Sequence, residues 1–243
     1  KELPWGILTG IRPTKIIHEV RGPGRIVEGI KEILRNEYLI SEEKIELMID
    51  ITLLERKFIY PVDEDKLSIY ISIPFCPTRC VYCSFPSNPM PKGDRNKVTK
   101  YLEALFHEID GVKELLADKG KSIDTVYIGG GTPTFLTHEE MNALLNKVDE
   151  TFDLSSIREY TVEAGRPDTI TRDKLEVIKG HGIKRISINP QSMKDRTLEL
   201  IGRRHKTEDI ITAFRLAKEV GFETINMDLI VGLPDENNED ILN

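Results

Sequence analysis

From residue 67 onward, short runs of β-branched and aromatic residues alternate with longer segments of helical periodicity. Strands separated by helices pair in parallel, because parallel neighbours need a crossover connection rather than a tight turn. The pattern therefore predicts an α/β fold, either an open doubly wound sheet or part of a (β/α) barrel. The predicted strands cover residues 67–73, 124–129, 158–164, 184–190 and 222–232, and the predicted helices cover 95–117, 137–150, 171–182, 206–221 and a segment starting at 235.

Residues 1–60 contain no predicted strand and form a separate N-terminal helical region. A polar, proline-containing linker at 60–66 separates this region from the core at 67–243. The predicted helices of the region begin at Pro13 and end before the Gly-Pro-Gly at 22–24, cover 25–38, and cover 41–58 with Ser41 as N-cap.

The charge balance excludes a general attraction to polyanions. The chain carries 34 basic and 41 acidic residues, a net charge of −7, so it has no overall field that recruits nucleic acid or an anionic membrane. Acidic and polar residues interrupt the longest apolar run, at 45–54, so we expect no membrane span. Three crowded cysteines cannot all pair as disulfides, which favours the reducing cytoplasm.

The chemically unusual residues follow the predicted strands. The cysteine loop follows the first strand, Gly-Gly-Gly-Thr-Pro-Thr (129–134) follows the second, and Glu163 closes the third. Gln191 follows the fourth strand, and Asp228 lies late in the fifth. The carboxyl ends of parallel strands meet at one edge, where both barrels and open sheets bind ligands. We therefore expect one site at this edge.

All three cysteines, Cys76, Cys80 and Cys83, lie in the sequence Cys-x-x-x-Cys-x-x-Cys. Zinc sites and iron–sulfur clusters both use thiolates and normally take four protein ligands. One interpretation is a structural zinc site completed by a ligand from elsewhere. The other is a four-iron cluster whose fourth iron stays open for a bidentate ligand, which explains the missing thiol. All five histidines lie on predicted helices or helix ends: His18, His107, His138, His181 and His205.

The cysteine spacing resembles that of the radical S-adenosylmethionine (SAM) superfamily, in which the motif follows the first strand. Tyr82, the aromatic residue before the third cysteine, also matches that family. The resemblance implies one [4Fe–4S] cluster on Cys76, Cys80 and Cys83, with SAM chelating the open iron. It also implies reductive cleavage of SAM to a 5′-deoxyadenosyl radical, and a partial parallel (β/α) barrel with a small helical region before it.

Several residues suit a zwitterionic, ribose-bearing ligand such as SAM. The glycines at 129–131 let the backbone approach a ligand closely, although an ordinary βα turn uses glycine too. Arg203 can pair bidentately with the SAM carboxylate, or can instead be the solvated end of a helix. Glu163 and Asp228 can accept from ribose hydroxyls, or each can hold a structural arginine.

Within the superfamily, four segments resemble the oxygen-independent coproporphyrinogen III oxidase family: YISIPFC, YIGGGTPT, NPQSM…LELIGRRH and MDLIVGLP. The start, PWGILTGIRPTKIIHEV, resembles its HemZ-like branch. The implied reaction is hydrogen abstraction from propionates and oxidative decarboxylation in haem biosynthesis, with a porphyrinogen or haem-type partner and a flavodoxin- or ferredoxin-like electron donor. The resemblance assigns no catalytic residue, and it places these residues at SAM: Tyr70, Tyr82, Gly130, Gly131, Thr132, Glu163, Gln191, Arg203 and Asp228.

The chain departs from that family at Phe85, where the oxidases carry a further cysteine. The haem-chaperone relatives share the Cys-Ser-Phe pattern, so a haem-trafficking protein without oxidase activity is the alternative. The family's partial barrel has six strands, and the pattern here gives five, truncated after the fifth. We therefore expect these 243 residues to cleave SAM slowly and without coupling to substrate, and to form no decarboxylated porphyrinogen.

Overall fold

The computed structural model describes residues 3–10, 12–20, 27–90 and 95–242. The chain divides into two compact units, Lys1–Glu64 and Asp65–Asn243. The predicted helix stop at 22–24 and the first two residues of the helix predicted at 25–38 lie outside the described residues.

The first unit is helical. It contains α1 (Thr14–Val20), α2 (Val27–Asn36) and α3 (Glu42–Ile59). On α2, Ile30 and Leu34 are four residues apart, so they lie on one face and are both buried. They pack with Ile17 of α1 and with Ile45 and Met48 of α3 in a small core of their own.

The second unit contains a five-stranded parallel sheet and a two-stranded parallel ladder. The strands are β1 (Lys66–Ile73), β2 (Phe75–Cys76), β3 (Asn88–Pro89), β4 (Ser122–Gly130), β5 (Glu159–Glu163), β6 (Arg185–Ser187) and β7 (Thr224–Asn226). The large sheet has the order β1-β4-β5-β6-β7, so each strand lies beside the next one in sequence. A doubly wound sheet reverses its strand order at a switch point, whereas a barrel does not. The α/β fold is therefore of the partial-barrel type.

The helices of this unit are α4 (Asn96–Lys119), α5 (His138–Thr151), α6 (Arg172–Gly180), α7 (Asp195–Leu200), α8 (Thr207–Val220) and α9 (Asn238–Leu242). The predicted cap of α5 is present as a full capping box, in which Thr137 accepts from the Glu140 amide and Glu140 accepts from the Thr137 amide. Among the described residues, the helices are too short or too polar to cross a membrane.

The two faces of the large sheet differ in polarity. Side chains alternate along a strand, so Val126 and Ile128 of β4 and Val162 of β5 are buried in the core, which also includes apolar residues of α4, α5, α6 and α8. Their neighbours Tyr127 and Glu163 project from the other face. That polar face leads toward the carboxyl edge, where the predicted site lies.

The ends of β6 and β7 differ from the prediction. Both strands are shorter than expected. After β6, Pro190 has no amide to donate and Gln191 takes a positive φ of 67°, so regular pairing does not continue there. Pairing continues only as a single bridge between Gln191 and Leu229. Neither the β2–β3 ladder nor α7 was predicted. These irregular segments carry the loops that reach the site.

Candidate functional site

A cleft of about 120 Å³ opens at the carboxyl edge of the large sheet. Ten of the twelve predicted site residues line it: Cys76, Cys80, Tyr82, Cys83, Gly130, Gly131, Thr132, Glu163, Gln191 and Arg203. The other two, Tyr70 and Asp228, lie at its margin and are described below. The topology thus brings together lining residues that are up to 127 positions apart, from Cys76 to Arg203 (203 minus 76).

The cysteine loop is anchored at both ends and in its middle. The β2–β3 ladder closes the ends, through bonds from the Asn88 amide to the Pro74 carbonyl (2.7 Å) and from the Met90 amide to the Cys76 carbonyl (3.1 Å). In the middle, the Val81 amide donates to the Ile201 carbonyl at 3.0 Å. The loop therefore holds its three free thiols in place through backbone contacts.

Cys76 is the most enclosed of the three thiols. Its residue is 7% exposed, and the Thr132 hydroxyl donates to its Sγ at 3.4 Å. Burial raises the pKa of the Cys76 thiol, whereas Thr132 and the charge of Arg166 act in the opposite direction. A Cβ at Gly131 would lie 2.9 Å from this sulfur, so only glycine fits beneath it. The Gly-Gly-Gly-Thr segment therefore forms the floor of the thiol site.

Gly130 is required for a different reason. Its φ of +106° is a conformation that other residues rarely adopt, and a Cβ there would lie 2.6 Å from the Ser72 hydroxyl. The glycines predicted to let a ligand approach thus also let β1 and β4 approach each other at the edge of the cleft.

Arg203 is buried at the back of the cleft, with 9% of its residue exposed. Its Nη1 donates to the carbonyls of Asn189 (2.6 Å) and Gly165 (3.2 Å), and its Nη2 donates to the Tyr82 hydroxyl (3.3 Å). Within the described residues, its buried Nε has no hydrogen-bond partner. A solvated helix end does not fit this environment, but a carboxylate acceptor does.

The turn after α7 explains why Arg203 points inward. Gly202 takes a φ of +79°, its amide donates to the Glu199 carbonyl, and the Arg203 amide donates to the Leu198 carbonyl. This is the glycine-terminated helix end that reverses the chain direction. Arg204, one position later, is exposed. The two adjacent arginines therefore have opposite environments.

Glu163 is the partly buried acid of the cleft. The Asn189 side-chain amide donates to its Oε1 at 3.0 Å, and Asn189 is oriented by the Ser187 hydroxyl, which donates to its Oδ1 at 2.6 Å. Burial and the nearby charge of Asp228 raise the pKa of Glu163 to about 7, against the charge of Arg203. A cationic or hydroxyl-bearing ligand would relieve this cost.

Asp228 and Gln191 meet through their backbones. The Gln191 amide donates to the Asp228 carbonyl at 2.9 Å, and the Ile230 amide donates to the Gln191 carbonyl at 3.0 Å. The Asp228 side chain is exposed, and its Oδ1 accepts from the side-chain Nδ2 of Asn226 at 2.8 Å. The strand pairing thus delivers both residues to the same rim.

Of the two predicted tyrosines, Tyr82 lines the cleft and Tyr70 lies at its margin. Tyr70 is 58% exposed and stacks on Tyr127, with ring centroids 5.6 Å apart. Its hydroxyl lies 2.9 Å from the Cβ position of Gly129. Tyr82 is 42% exposed and contacts Arg203 through its hydroxyl. Both rings offer apolar surface to a ligand that enters from solvent.

The sequence analysis missed Arg166, Asn189 and Thr78, which also line the cleft. Arg166 is 3% exposed and contacts Thr78 and Cys80. Asn189 bridges Glu163 and Arg203. The signal available in the sequence was a polar residue two or three positions beyond an apolar strand, at the edge where the other candidates lie.

The described histidines lie away from the thiols. No histidine is among the described residues that line the cleft. Four of the five face carboxylates elsewhere, in the pairs His18–Glu55, His138–Glu139, His181–Asp149 and His205–Asp168. A Cys3His zinc site would therefore need rearrangement of this part of the chain. Across the described residues, no three His, Cys, Asp or Glu side chains converge on a position for a single metal ion. A four-iron cluster has a different requirement, because each of its thiolates binds a different iron.

The sequence profile of the radical SAM superfamily matches residues 70–243. The chain belongs to the radical SAM superfamily. The profile begins at Tyr70, near the end of β1, and includes every residue that the resemblance placed at the cluster or at SAM.

Relatives within this superfamily support the narrower resemblance. The chain is 47% identical over 236 residues to the oxygen-independent coproporphyrinogen-III oxidase-like protein HemZ of Bacillus subtilis (strain 168), covering 96% of this chain and 47% of the relative. It is 38% identical over 170 residues to the heme chaperone HemW of the same strain, covering 70% and 43%. The solved structure of coproporphyrinogen III oxidase (HemN) from Escherichia coli, a radical SAM enzyme, aligns with a TM-score of 0.66 and 30% identity, covering 79% and 43%.

The chain therefore spans about half the length, or less, of the proteins it matches. Its family is that of HemZ, HemW and HemN, whose names include both oxidases and heme chaperones.

The cleft fits the cofactors that the radical SAM family implies. Three free cysteines on one anchored loop supply soft thiolate ligands. The buried Nε of Arg203 is a donor with no acceptor among the described residues, as expected beside a carboxylate-bearing ligand. Glu163, which lines the same cleft, suits a cationic or hydroxyl-bearing group.

Proposed function

We propose that Cys76, Cys80 and Cys83 hold one [4Fe–4S] cluster with an open iron, and that SAM binds beside it. The observation that carries the proposal is that one cleft contains three free thiols and a buried arginine with an unsatisfied donor. When bound, the cluster and SAM would supply a 5′-deoxyadenosyl radical.

Different residues of the cleft would bind different chemical groups of SAM. Arg203 would donate to the carboxylate, because its Nε is the donor left unpaired by the described residues. Glu163 and Asp228 would accept from ribose hydroxyls. The other predicted contacts come from backbone and aromatic surface: Tyr70, Tyr82, Gly130, Gly131, Thr132 and Gln191.

The substrate that we propose is a porphyrinogen, whose propionate side chains would be oxidatively decarboxylated. This rests on the similarity to the coproporphyrinogen oxidase HemN and to the oxidase-like HemZ. A flavodoxin- or ferredoxin-like protein would supply the electron. This donor protein would approach the exposed side of the cysteine loop, where Val81 is 75% exposed.

A second candidate is haem trafficking without oxidase activity. Phe85 favours it, because this residue stands where the oxidases carry a further cysteine. Phe85 is 56% exposed and lines the cleft, so it offers apolar surface in place of a thiol. The 38% identity to the heme chaperone HemW supports the same interpretation.

Anaerobic incubation with SAM and dithionite, with and without coproporphyrinogen III, distinguishes the two candidates. HPLC measures 5′-deoxyadenosine in each sample. Formation above the uncoupled background only when coproporphyrinogen III is present would support the oxidase-like function, and it would overturn the expectation that these 243 residues cleave SAM without coupling to substrate. Stable capture of haem, seen as a shifted Soret band, with no stimulation by coproporphyrinogen III supports haem trafficking.

A further inference from the structure

Arg166 is a second buried guanidinium beside the cysteine loop. Its residue is 3% exposed, and its Nη1 lies 3.8 Å from the Cys80 sulfur. The same nitrogen donates to the Thr78 hydroxyl at 3.0 Å and to the Thr78 carbonyl at 3.2 Å. Arg166 thus contacts both a cysteine and the backbone two residues before it.

A carboxylate fixes the orientation of this guanidinium. Arg166 donates through Nε to Asp168 Oδ1 at 3.1 Å and through Nη2 to Asp168 Oδ2 at 3.3 Å, so the pair is bidentate. His205 Nδ1 lies 3.6 Å from the same carboxylate. Burial alone would raise the pKa of Asp168, but His205 and Arg166 hold it well below its usual range.

The backbone of Arg166 is tied to the loop below the thiols. The Thr169 hydroxyl donates to the Arg166 carbonyl at 2.8 Å and lies 2.6 Å from the Thr134 hydroxyl. Lys174 donates to the carbonyls of Thr134 and Thr169, at 2.5 and 3.0 Å. Arg166 is therefore held from both its backbone and its side chain, with its Nη1 directed at the cysteine loop.

We propose that Arg166 positions the cysteine loop and raises the reduction potential of the cluster by donating an N–H to the Cys80 sulfur. This inference rests on the proposed cluster. Hydrogen bonds to cluster sulfurs and nearby charge are established determinants of iron–sulfur potentials. Reduction adds one electron and one negative charge, and a buried cation stabilises that charge more than an exposed one does. The electron comes from the flavodoxin-like donor, and no bond is made or broken.

Arg166 and Asp168 carry opposite charges, so the proposal predicts opposite shifts in potential when each is removed. The guanidinium lies between the carboxylate and the sulfur, so the carboxylate offsets part of the guanidinium's charge. Removing the cation should lower the potential, and removing the anion should raise it. A loss of packing alone would not produce shifts of opposite sign.

The test is an EPR-monitored redox titration of the anaerobically reconstituted 243-residue chain. Arg166→Gln is expected to lower the ratio of reduced to oxidised cluster about tenfold at a fixed potential, which corresponds to about 59 mV for one electron. Arg166→Lys, which keeps the charge without the planar fork, should fall between Gln and wild type. Asp168→Asn should shift the ratio upward. Arg204→Gln is the matched control, because Arg204 is an exposed arginine that does not line the cleft and should change the ratio little.

Iron content and circular dichroism accompany each titration. Loss of iron by Arg166→Gln with an unchanged far-UV spectrum supports the positioning role. If Arg166→Gln does not fold, the upward shift of Asp168→Asn carries the test. Equal shifts for Arg166→Gln and Arg204→Gln, or a downward shift for Asp168→Asn, would overturn the inference. A wild-type chain that binds no iron would overturn the proposed function itself.

Discussion

The two sides of the cleft are built differently. On the cysteine side, Arg166 and Arg203 are buried, and their donors are directed at carbonyls, a carboxylate and hydroxyls. On the strand-end side, Glu163 is held by Asn189 but is also repelled by Asp228, and its pKa is raised to about 7. The cations are surrounded by acceptors from the protein, whereas the Asn189 hydrogen bond and the charge of Arg203 offset only part of the cost of ionising Glu163.

This difference indicates where each part of a zwitterionic ligand would bind. Arg203 donates to two carbonyls and a hydroxyl and has one buried donor left for a carboxylate. An undercompensated carboxylate such as Glu163 gains most from a ligand that brings positive charge or hydroxyl donors. The site therefore has one side, at Arg203, that suits an anionic group, and another, at Glu163, that suits a cationic or hydroxyl-bearing group.

The largest expected effect concerns the cysteine side. Cys80→Ala removes one of three thiolates, and we expect the iron content after anaerobic reconstitution to fall from about four per chain to nearly none. Cys76→Ala and Cys83→Ala should behave alike. Ser84→Ala, an exposed substitution in the same loop, is the control and should keep its iron. Full iron binding by any cysteine variant would contradict the assigned ligands.

The second-largest expected effect is on SAM affinity, when the unpaired Nε donor of Arg203 is removed. Arg203→Ala should weaken SAM binding by about 10- to 150-fold, or roughly 1.5–3 kcal/mol, because it removes a charge-assisted contact. Arg204→Ala is the matched control and should cost little, since Arg204 is exposed. Isothermal titration calorimetry of both variants measures the affinities, with circular dichroism to check folding. Equal losses would show that the segment supplies only general positive charge.

We predict that removing the charge of Glu163 stabilises the chain in the absence of ligand. Glu163 has its pKa raised from the usual 4.5 to about 7, so its ionisation destabilises the folded chain above pH 7. Glu163→Gln should raise the free energy of unfolding by about 2 kcal/mol at pH 8. The gain should shrink as the pH falls from 7 and vanish below about 4.5, where both states bind the proton.

Urea unfolding followed by circular dichroism at pH 4.5, 6 and 8 measures this difference. Glu114→Gln, an exposed substitution on α4, is the control and should show no such dependence. A gain for Glu163→Gln that is constant with pH would mean that shape, rather than charge, controls the stability of this side.

The smallest expected effect is on the free energy of unfolding, when the charge of Asp228 at the rim of the cleft is removed. Asp228→Asn removes the charge that helps to raise the Glu163 pKa, so it should also stabilise the chain at pH 8. Because Asp228 is exposed, solvent screening should hold the gain below about 1 kcal/mol. The same unfolding series measures it. A gain larger than that of Glu163→Gln would show that repulsion, rather than burial, dominates the acidic side.

Local sequence patterns predicted the fold well but not the course of its loops. The alternation of strands and helices and the Thr137 cap depend on residues close in sequence, and both are present in the structure. The ends of β6 and β7 depend instead on how Gln191 pairs with Leu229, 38 positions later (229 minus 191). Such pairing follows from the tertiary fold, which local propensity does not contain.

The same distinction applies to the site. Strand ends located Glu163, Gln191 and the glycine loop, because the carboxyl edge of a parallel sheet is fixed by topology. Arg166 was missed, because its role depends on Thr78, 88 positions away in the chain. A sequence pattern indicates that a charged residue follows a strand, but not which loop it will contact.

The most direct test of the site is EPR spectroscopy of the reconstituted, dithionite-reduced chain, with and without SAM, alongside metal analysis. We predict about four irons per chain and a reduced-cluster signal that SAM changes in the wild type, with Arg203→Ala requiring far more SAM for the same change. Tight binding of one zinc with no iron, or a cluster signal that SAM leaves unchanged, would contradict the assignment of the three thiols and Arg203 to a common site.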